Sequence, residues 1–147
     1  MSHMPSQEMM QVFASTKLML HKRDYWIVSL PVEKQEKALE LFKSLKPFNS
    51  VTIDYNEVSL ILASDNWDQM RSSFDEYKEE GPYKAITFDI VLDLSLVGYL
   101  SVVSAVLADA GISIYAISTY LRDHILIKAT DAEKAIKLLE DLIQRCR

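Results

Sequence analysis

The chain has 147 residues, 49% of them hydrophobic, enough to bury the core of one domain, or of two small ones sharing a core, without disulfide staples. A formal net charge of −5 and a pI near 5.2 argue against a nucleic-acid surface, which needs a basic stripe to neutralise phosphates, and say little about small ligands. The lone Cys146 excludes an internal disulfide; with no charged-then-apolar leader and no apolar run of the roughly 18–20 residues that span a bilayer, a cytoplasmic protein is expected.

Met1-Ser2-His3-Met4 reads as an expression-tag remnant, and residues 1–16, with Pro5, Ser6 and Ser15 and no sustained period, as a loose arm. Within it, Met9-Met10 ahead of Val12-Phe13 fits either a partner-docking segment or disorder. Lys17–Leu20 and Tyr25–Leu30 are strand-like around the charged His21-Lys22-Arg23-Asp24, as one bent strand or two short ones. Pro31 permits a helix start, Ala38, Leu41, Phe42 and Leu45 form one apolar face, and Pro47 closes the segment. Val51, Ile53 and Tyr55 alternate, Asn56-Glu57 turns the chain, and Val58, Leu60 and Leu62 alternate again, predicting a hairpin. Ser64 or Asp65 then caps a helix using Trp67, Met70, Phe74 and Tyr77, aromatics whose spacing points to core packing, as does Trp26 in its strand. Lys78-Glu79-Glu80-Gly81-Pro82 is charged, turn-forming and aperiodic, which places a boundary there between a first half, 17–80, and a second, 84–147.

The second half opens with Lys84–Leu92, where Ile86, Phe88, Ile90 and Leu92 alternate with Ala85, Thr87, Asp89 and Val91 as in a strand. After the break at Asp93, Ser95 caps a helix built on Leu96, Leu100, Val103 and Leu107, and Gly111 stands where a left-handed residue closes a helix. Ile112–Thr119 and His124–Ala129 follow as a hairpin about Tyr120-Leu121-Arg122-Asp123. Thr130-Asp131-Ala132-Glu133 has the capping-box pattern, Ala132, Ile136, Leu139 and Ile143 line one helical face, and Arg145 and Arg147 complement its carboxyl end. Both halves thus read strand, helix, hairpin, helix, each one strand short of a βαββαβ unit. Exchange of strands across the repeat, with the Lys17–Leu30 region completing the second sheet, would supply the missing ones.

DLSLVGYL followed by ADAGISIYAISTYLRDHILIK resembles the second half of small proteins built from two ACT-type domains, the amino-acid-sensing family that includes the cytosolic arginine sensors. The resemblance covers Tyr83 to Leu142 and extends to the first half only in element order. It implies an α+β fold of two intertwined ferredoxin-like halves, mainly antiparallel sheets with helices on one face, joined edge to edge in a homodimer. It also implies a pocket whose wall, Ser95, Leu96, Val97 and Gly98, faces Gly111, Ile112 and Ser113, with Ser118, Thr119 and Asp123 in the subgroup's STY-x-x-D segment. Ser95 stands where many members carry an amide or acid, and Val97 where they carry proline.

The residues themselves support two readings of this stretch. A helix amino terminus suits a carboxylate, Gly98 lets a ligand approach, and Asp123 can pair with an ammonium group. Alternatively Gly98 only permits close helix packing, and Asp123 bonds nearby backbone N–H groups in its turn. Catalysis has no visible machinery: His3, His21 and His124 have no spacing partners for a metal site or triad, and no phosphate loop, Gly-x-Ser-x-Gly or dinucleotide fingerprint is present. His124 reads as an ordinary packed or solvated strand residue. A non-enzymatic sensor of a small effector, an amino acid, with no cofactor and no metal, is therefore expected. The competing readings are a scaffold for a protein partner with a degenerate pocket, and an isomerase or lyase that would need a buried acid-base pair.

Overall fold

A computed structural model describes residues 5–147; the expectation about Met1–Met4 and His3 lies outside the described residues. The chain divides into two compact units, Lys22–Tyr83 and a second made of the segment ending at His21 together with Lys84–Arg147.

In the Lys22–Tyr83 unit, strand β2 (Tyr25–Leu30) pairs antiparallel with β4 (Val58–Ala63), which pairs with β3 (Ser50–Ile53) across the Asp54–Glu57 turn. Asp54 holds that turn by accepting from the backbone N–H groups of Asn56 and Glu57. Val58, Leu60 and Leu62 are fully buried, as their alternation requires, against Val28, Leu30, Ala38 of helix α2 (Gln35–Phe42), and Trp67 and Met70 of helix α3 (Ser64–Met70). Helix α3 departs from expectation in two ways. Ala63 occupies the cap position, with no side-chain hydrogen bond from Ser64 or Asp65, and the helix tightens into a 3₁₀ turn at Arg71–Ser73, so Phe74 reaches the core from beyond its end.

The charged stretch Lys78–Pro82 is strand, not punctuation. It begins β5 (Lys78–Asp89), whose first residues pair with Ser29, Val28 and Ile27 of β2 and supply this unit's fourth strand. Side chains here alternate between exposed and half-buried: Lys78 and Glu80 are exposed, while half-buried Glu79 accepts from Trp67 Nε1, so the charges are compatible with a strand. Gly81 is required by close approach: a Cβ there would lie 2.6 Å from the Trp26 ring.

The other unit has β1 (Lys17–Leu20) paired antiparallel with Ile86–Asp89 of β5, followed in sheet order by β7 (Asp123–Lys128) and β6 (Tyr115–Ser118). The expected strand exchange thus divides the Lys17–Leu30 region: Lys17–Leu20 joins the second half, while Tyr25–Leu30 stays with the first. Ile86, Phe88, Ile125 and Ile127 meet Val103 and Leu107 of helix α4 (Tyr99–Asp109) and Ala135, Leu139 and Leu142 of helix α5 (Ala132–Cys146). This is the expected α+β, ferredoxin-like arrangement of antiparallel strands and covering helices.

Four expectations fail in this unit. Residues 7–14 are not a loose arm but helix α1 (Gln7–Ala14), capped by the Ser6 hydroxyl, which accepts from the Met9 N–H at 3.2 Å. The apolar quartet Met9, Met10, Val12 and Phe13 falls on one face of that helix, and Met9 and Phe13 are buried in the same core. Ser95 does not cap α4: Gly98, with φ of +98°, holds the cap position, and Ser95 bonds instead to the Asp93 carboxylate. At α5, Asp131 stands at the cap without a side-chain bond, because Ala129–Asp131 winds as a 3₁₀ turn that already orders the helix entry. The strand predicted to begin at Ile112 begins at Tyr115, since Ile112 turns inward to the core behind Gly111, whose φ is +75°.

Candidate functional site

An open cleft of about 380 Å³ lies where the Leu92–Ser101 segment faces the Ser118–Asp123 hairpin turn. One wall is the turn after β5 and the first residues of α4; the other is the β6–β7 connection. The two are joined by a backbone hydrogen bond from Leu92 N–H to the Leu121 carbonyl, 2.8 Å.

Gly98 determines how α4 starts. Its left-handed backbone suits glycine, and a Cβ there would meet nothing within 4 Å, so the residue serves chain direction and not tight packing. Its carbonyl accepts from Val102, so the helix presents the unpaired N–H groups of its first turn, at Tyr99 to Ser101, beside the cleft.

The cleft carries charge of both signs. Arg122 donates from Nε to Asp89 Oδ1 at 3.1 Å, a partly exposed pair that fixes the guanidinium on the sheet. Asp123 accepts from the Ser118 hydroxyl at 2.7 Å, across the last register pair of the hairpin. Asp93 accepts from both the hydroxyl and the N–H of Ser95, and these bonds hold its carboxyl below the usual range. Two carboxylates, a guanidinium and a helix amino terminus form a surface suited to a zwitterion.

Of the residues expected at the site, Leu96, Gly98, Ser118, Thr119 and Asp123 line this cleft. Ser95 lies on the outer turn that shapes Asp93, and Val97 is 86% exposed. Gly111, Ile112 and Ser113 do not line it. They follow the far end of α4, whose 11 residues extend about 16 Å, so the expected facing walls stand at opposite ends of one helix. Asp93, which the sequence offers only as the start of the turn before the helix, and Tyr120–Arg122, which it offers only as a hairpin turn, also line the cleft; flanking by Thr119 and Asp123 was the available signal for the latter.

Thr87, on the face of β5 opposite Ile86 and Phe88, is buried, and its Oγ1 lies 2.7 Å from His21 Nε2 and 2.9 Å from His124 Nδ1. His124 Nε2 lies 3.1 Å from Thr119 Oγ1, a cleft residue. Burial pushes both imidazoles below the ordinary histidine value, and at His124 the neighbouring His21 adds to this. No spacing rule could find the set, because its members lie 66 and 37 residues apart and meet only through β-sheet register. Among the described residues, no cluster of His, Cys, Asp and Glu could hold a metal ion, and no helix is long and apolar enough to cross a membrane.

Residues 79–141 match the family model for the ACT domain. No curated protein matches the chain. Among solved structures, a structural-genomics protein of Agrobacterium tumefaciens is 23% identical with a TM-score of 0.72, covering 87% of this chain and 89% of its own. A Vibrio cholerae protein of unknown function, described as a possible transport protein, is 21% identical with a TM-score of 0.73, covering 93% and 97%. The regulatory subunit of aspartate kinase from Thermus thermophilus, in ligand-free form, is 12% identical with a TM-score of 0.66, covering 86% and 97%. At these identities the likeness is one of fold.

Proposed function

We propose that this chain is a non-enzymatic, cytoplasmic regulatory module that binds an α-amino acid in the cleft between the start of α4 and the Ser118–Asp123 turn. The observation that carries the reading is the cleft itself. Its volume falls in the range of small-molecule sites, and its walls set a helix amino terminus near two carboxylates. The ligand carboxylate would take the N–H groups of Tyr99–Ser101, and its ammonium group would take Asp93 or Asp123. The ACT match over residues 79–141 and the fold likeness to an aspartate kinase regulatory subunit support a regulatory role. Regulation would act through a homodimer: β6 ends its unit's strand order, leaving an edge on which a second copy can add. An effector there works by binding one arrangement of subunits more tightly than another.

The rim of the cleft favours a second reading. Leu94, Val97 and Tyr120 are 69%, 86% and 76% exposed, an apolar border suited to a protein partner in a scaffold role. A thermal-shift screen of the full chain against the twenty amino acids separates the two. A ligand at ~100 times its dissociation constant adds about 2.7 kcal/mol, a rise of several degrees at this size. A selective rise lost in Asp123→Asn is expected; no rise with any amino acid would reject the sensor in favour of the scaffold.

A further inference from the structure

The hydrogen positions along the chain from His21 to Thr119 follow from donor and acceptor bookkeeping. The Thr119 hydroxyl lies 2.9 Å from the carbonyl oxygen of Arg122, which can only accept, so its single hydrogen points there. Thr119 Oγ1 must then accept from His124, which places a hydrogen on Nε2 of that imidazole. In neutral His124 the other nitrogen, Nδ1, is an acceptor, so Thr87 donates to it; Thr87 in turn accepts from His21 Nε2–H. Every donor in the series points one way, from His21 through Thr87, His124 and Thr119 to the backbone of the turn.

We infer that His21, Thr87 and His124 are positioning residues for the Thr119–Arg122 wall of the cleft: Thr87, donating to Nδ1, fixes neutral His124 as the Nε2–H tautomer, and that hydrogen holds Thr119. The same carbonyl of Arg122 also accepts from the Thr119 N–H at 2.9 Å, so the relay ends on the bond that closes the turn. Protonating His124 puts a hydrogen on Nδ1, directed at Thr87. The Thr87 hydrogen then loses its acceptor unless His21 moves its own proton from Nε2 to Nδ1, reversing its half of the relay.

The charged and titratable groups acting on His124 are His21 after β1 and Arg122 and Asp123 at the turn; Arg122 is itself paired with Asp89 on β5. His21 and Arg122 oppose a charge on His124, and Asp123 favours one; burial tips the balance to the neutral form. That this wall serves a ligand rests on the proposed function; the relay and its effect on the wall do not.

Long-range ¹H–¹⁵N NMR of the full chain tests the inference without any ligand. At pH 7.5 the His124 ring is expected as the Nε2–H tautomer, and on acidification the Thr119 and Arg122 amides should shift with the midpoint of that ring. Thr87→Val, which keeps the shape and removes the donor to Nδ1, should weaken the preference of His124 for the Nε2–H tautomer, and Thr87→Ser should restore it. An Nδ1–H tautomer at pH 7.5, or turn amides that stay flat while His124 titrates, would overturn it. Absence of amino-acid binding at every pH would overturn the proposed function alone, because tautomer and amide readings decide the relay by themselves.

Discussion

The ring of Phe13 stacks on that of Tyr99 with centroids 4.4 Å apart and planes within 7° of parallel. Phe13 belongs to α1, ahead of every strand, whereas Tyr99 is the first residue of α4 and lines the cleft. The Tyr99 hydroxyl, 2.9 Å from Thr16 Oγ1, ties the same residue to the entry of β1, and burial raises its phenol well above the ordinary value. The segment before β1 therefore supports the base of the candidate site.

Phe13→Ala should accordingly cost about 3–5 kcal/mol, the usual cost of emptying a fully buried aromatic position. Urea unfolding measures it. A cost below about 1 kcal/mol would mean that α1 does not dock.

Two glycines should respond to alanine for different reasons. At Gly81 the added methyl collides with the Trp26 ring, and overpacking of this kind costs about 1–3 kcal/mol. At Gly98 there is open space, so only the left-handed backbone is penalised, by about 1–2 kcal/mol. Trp26→Leu should therefore relieve Gly81→Ala and leave the cost of Gly98→Ala unchanged; equal rescue of both would contradict this assignment.

Glu79 joins two donors of its unit, accepting from Trp67 Nε1 at 2.9 Å and Arg71 Nε at 3.1 Å. Trp67 is fully buried, so Glu79→Ala leaves its N–H without that partner, at about 1–3 kcal/mol. Glu79→Gln keeps an acceptor and should recover most of the loss, as read from denaturation midpoints.

Stability should fall on mild acidification. His21 and His124 have folded values below the ordinary 6.5, so the unfolded chain binds protons first as pH drops. Their contribution is fully present above pH 6.5 and is lost as pH falls from there through the lowered folded values. Asp93, also lowered, adds a separate loss only near and below its ordinary value of 3.8. Urea midpoints between pH 7.5 and 5 should decline in the wild type and decline less in His124→Gln; parallel slopes would exclude His124 as a source.

What the sequence determined by itself is the local half of the fold. Alternation at Val58, Leu60 and Leu62 and at Ile86 and Phe88, and helical spacing through Val103 and Leu107, express burial on one face, a property each segment carries alone. The turn before α4 was legible as a candidate site because helix-start chemistry is short-range, whereas Ser118, Thr119 and Asp123 were singled out by the resemblance of their segment.

Tertiary structure decided everything that depends on partners distant in the chain. Charge concealed the strand at Lys78–Pro82, because its pairing with β2 tolerates charged side chains on outward positions. A short apolar face concealed α1, because eight residues become a stable helix only when Met9 and Phe13 find a core to enter. The family resemblance implies that Gly111–Ser113 face the start of α4, yet the length of α4 carries them away from it. Thr87 and the two histidines met for the opposite reason: register between β1, β5 and β7 converts large separations along the chain into hydrogen-bond distances, and that register exists only once the sheet has formed.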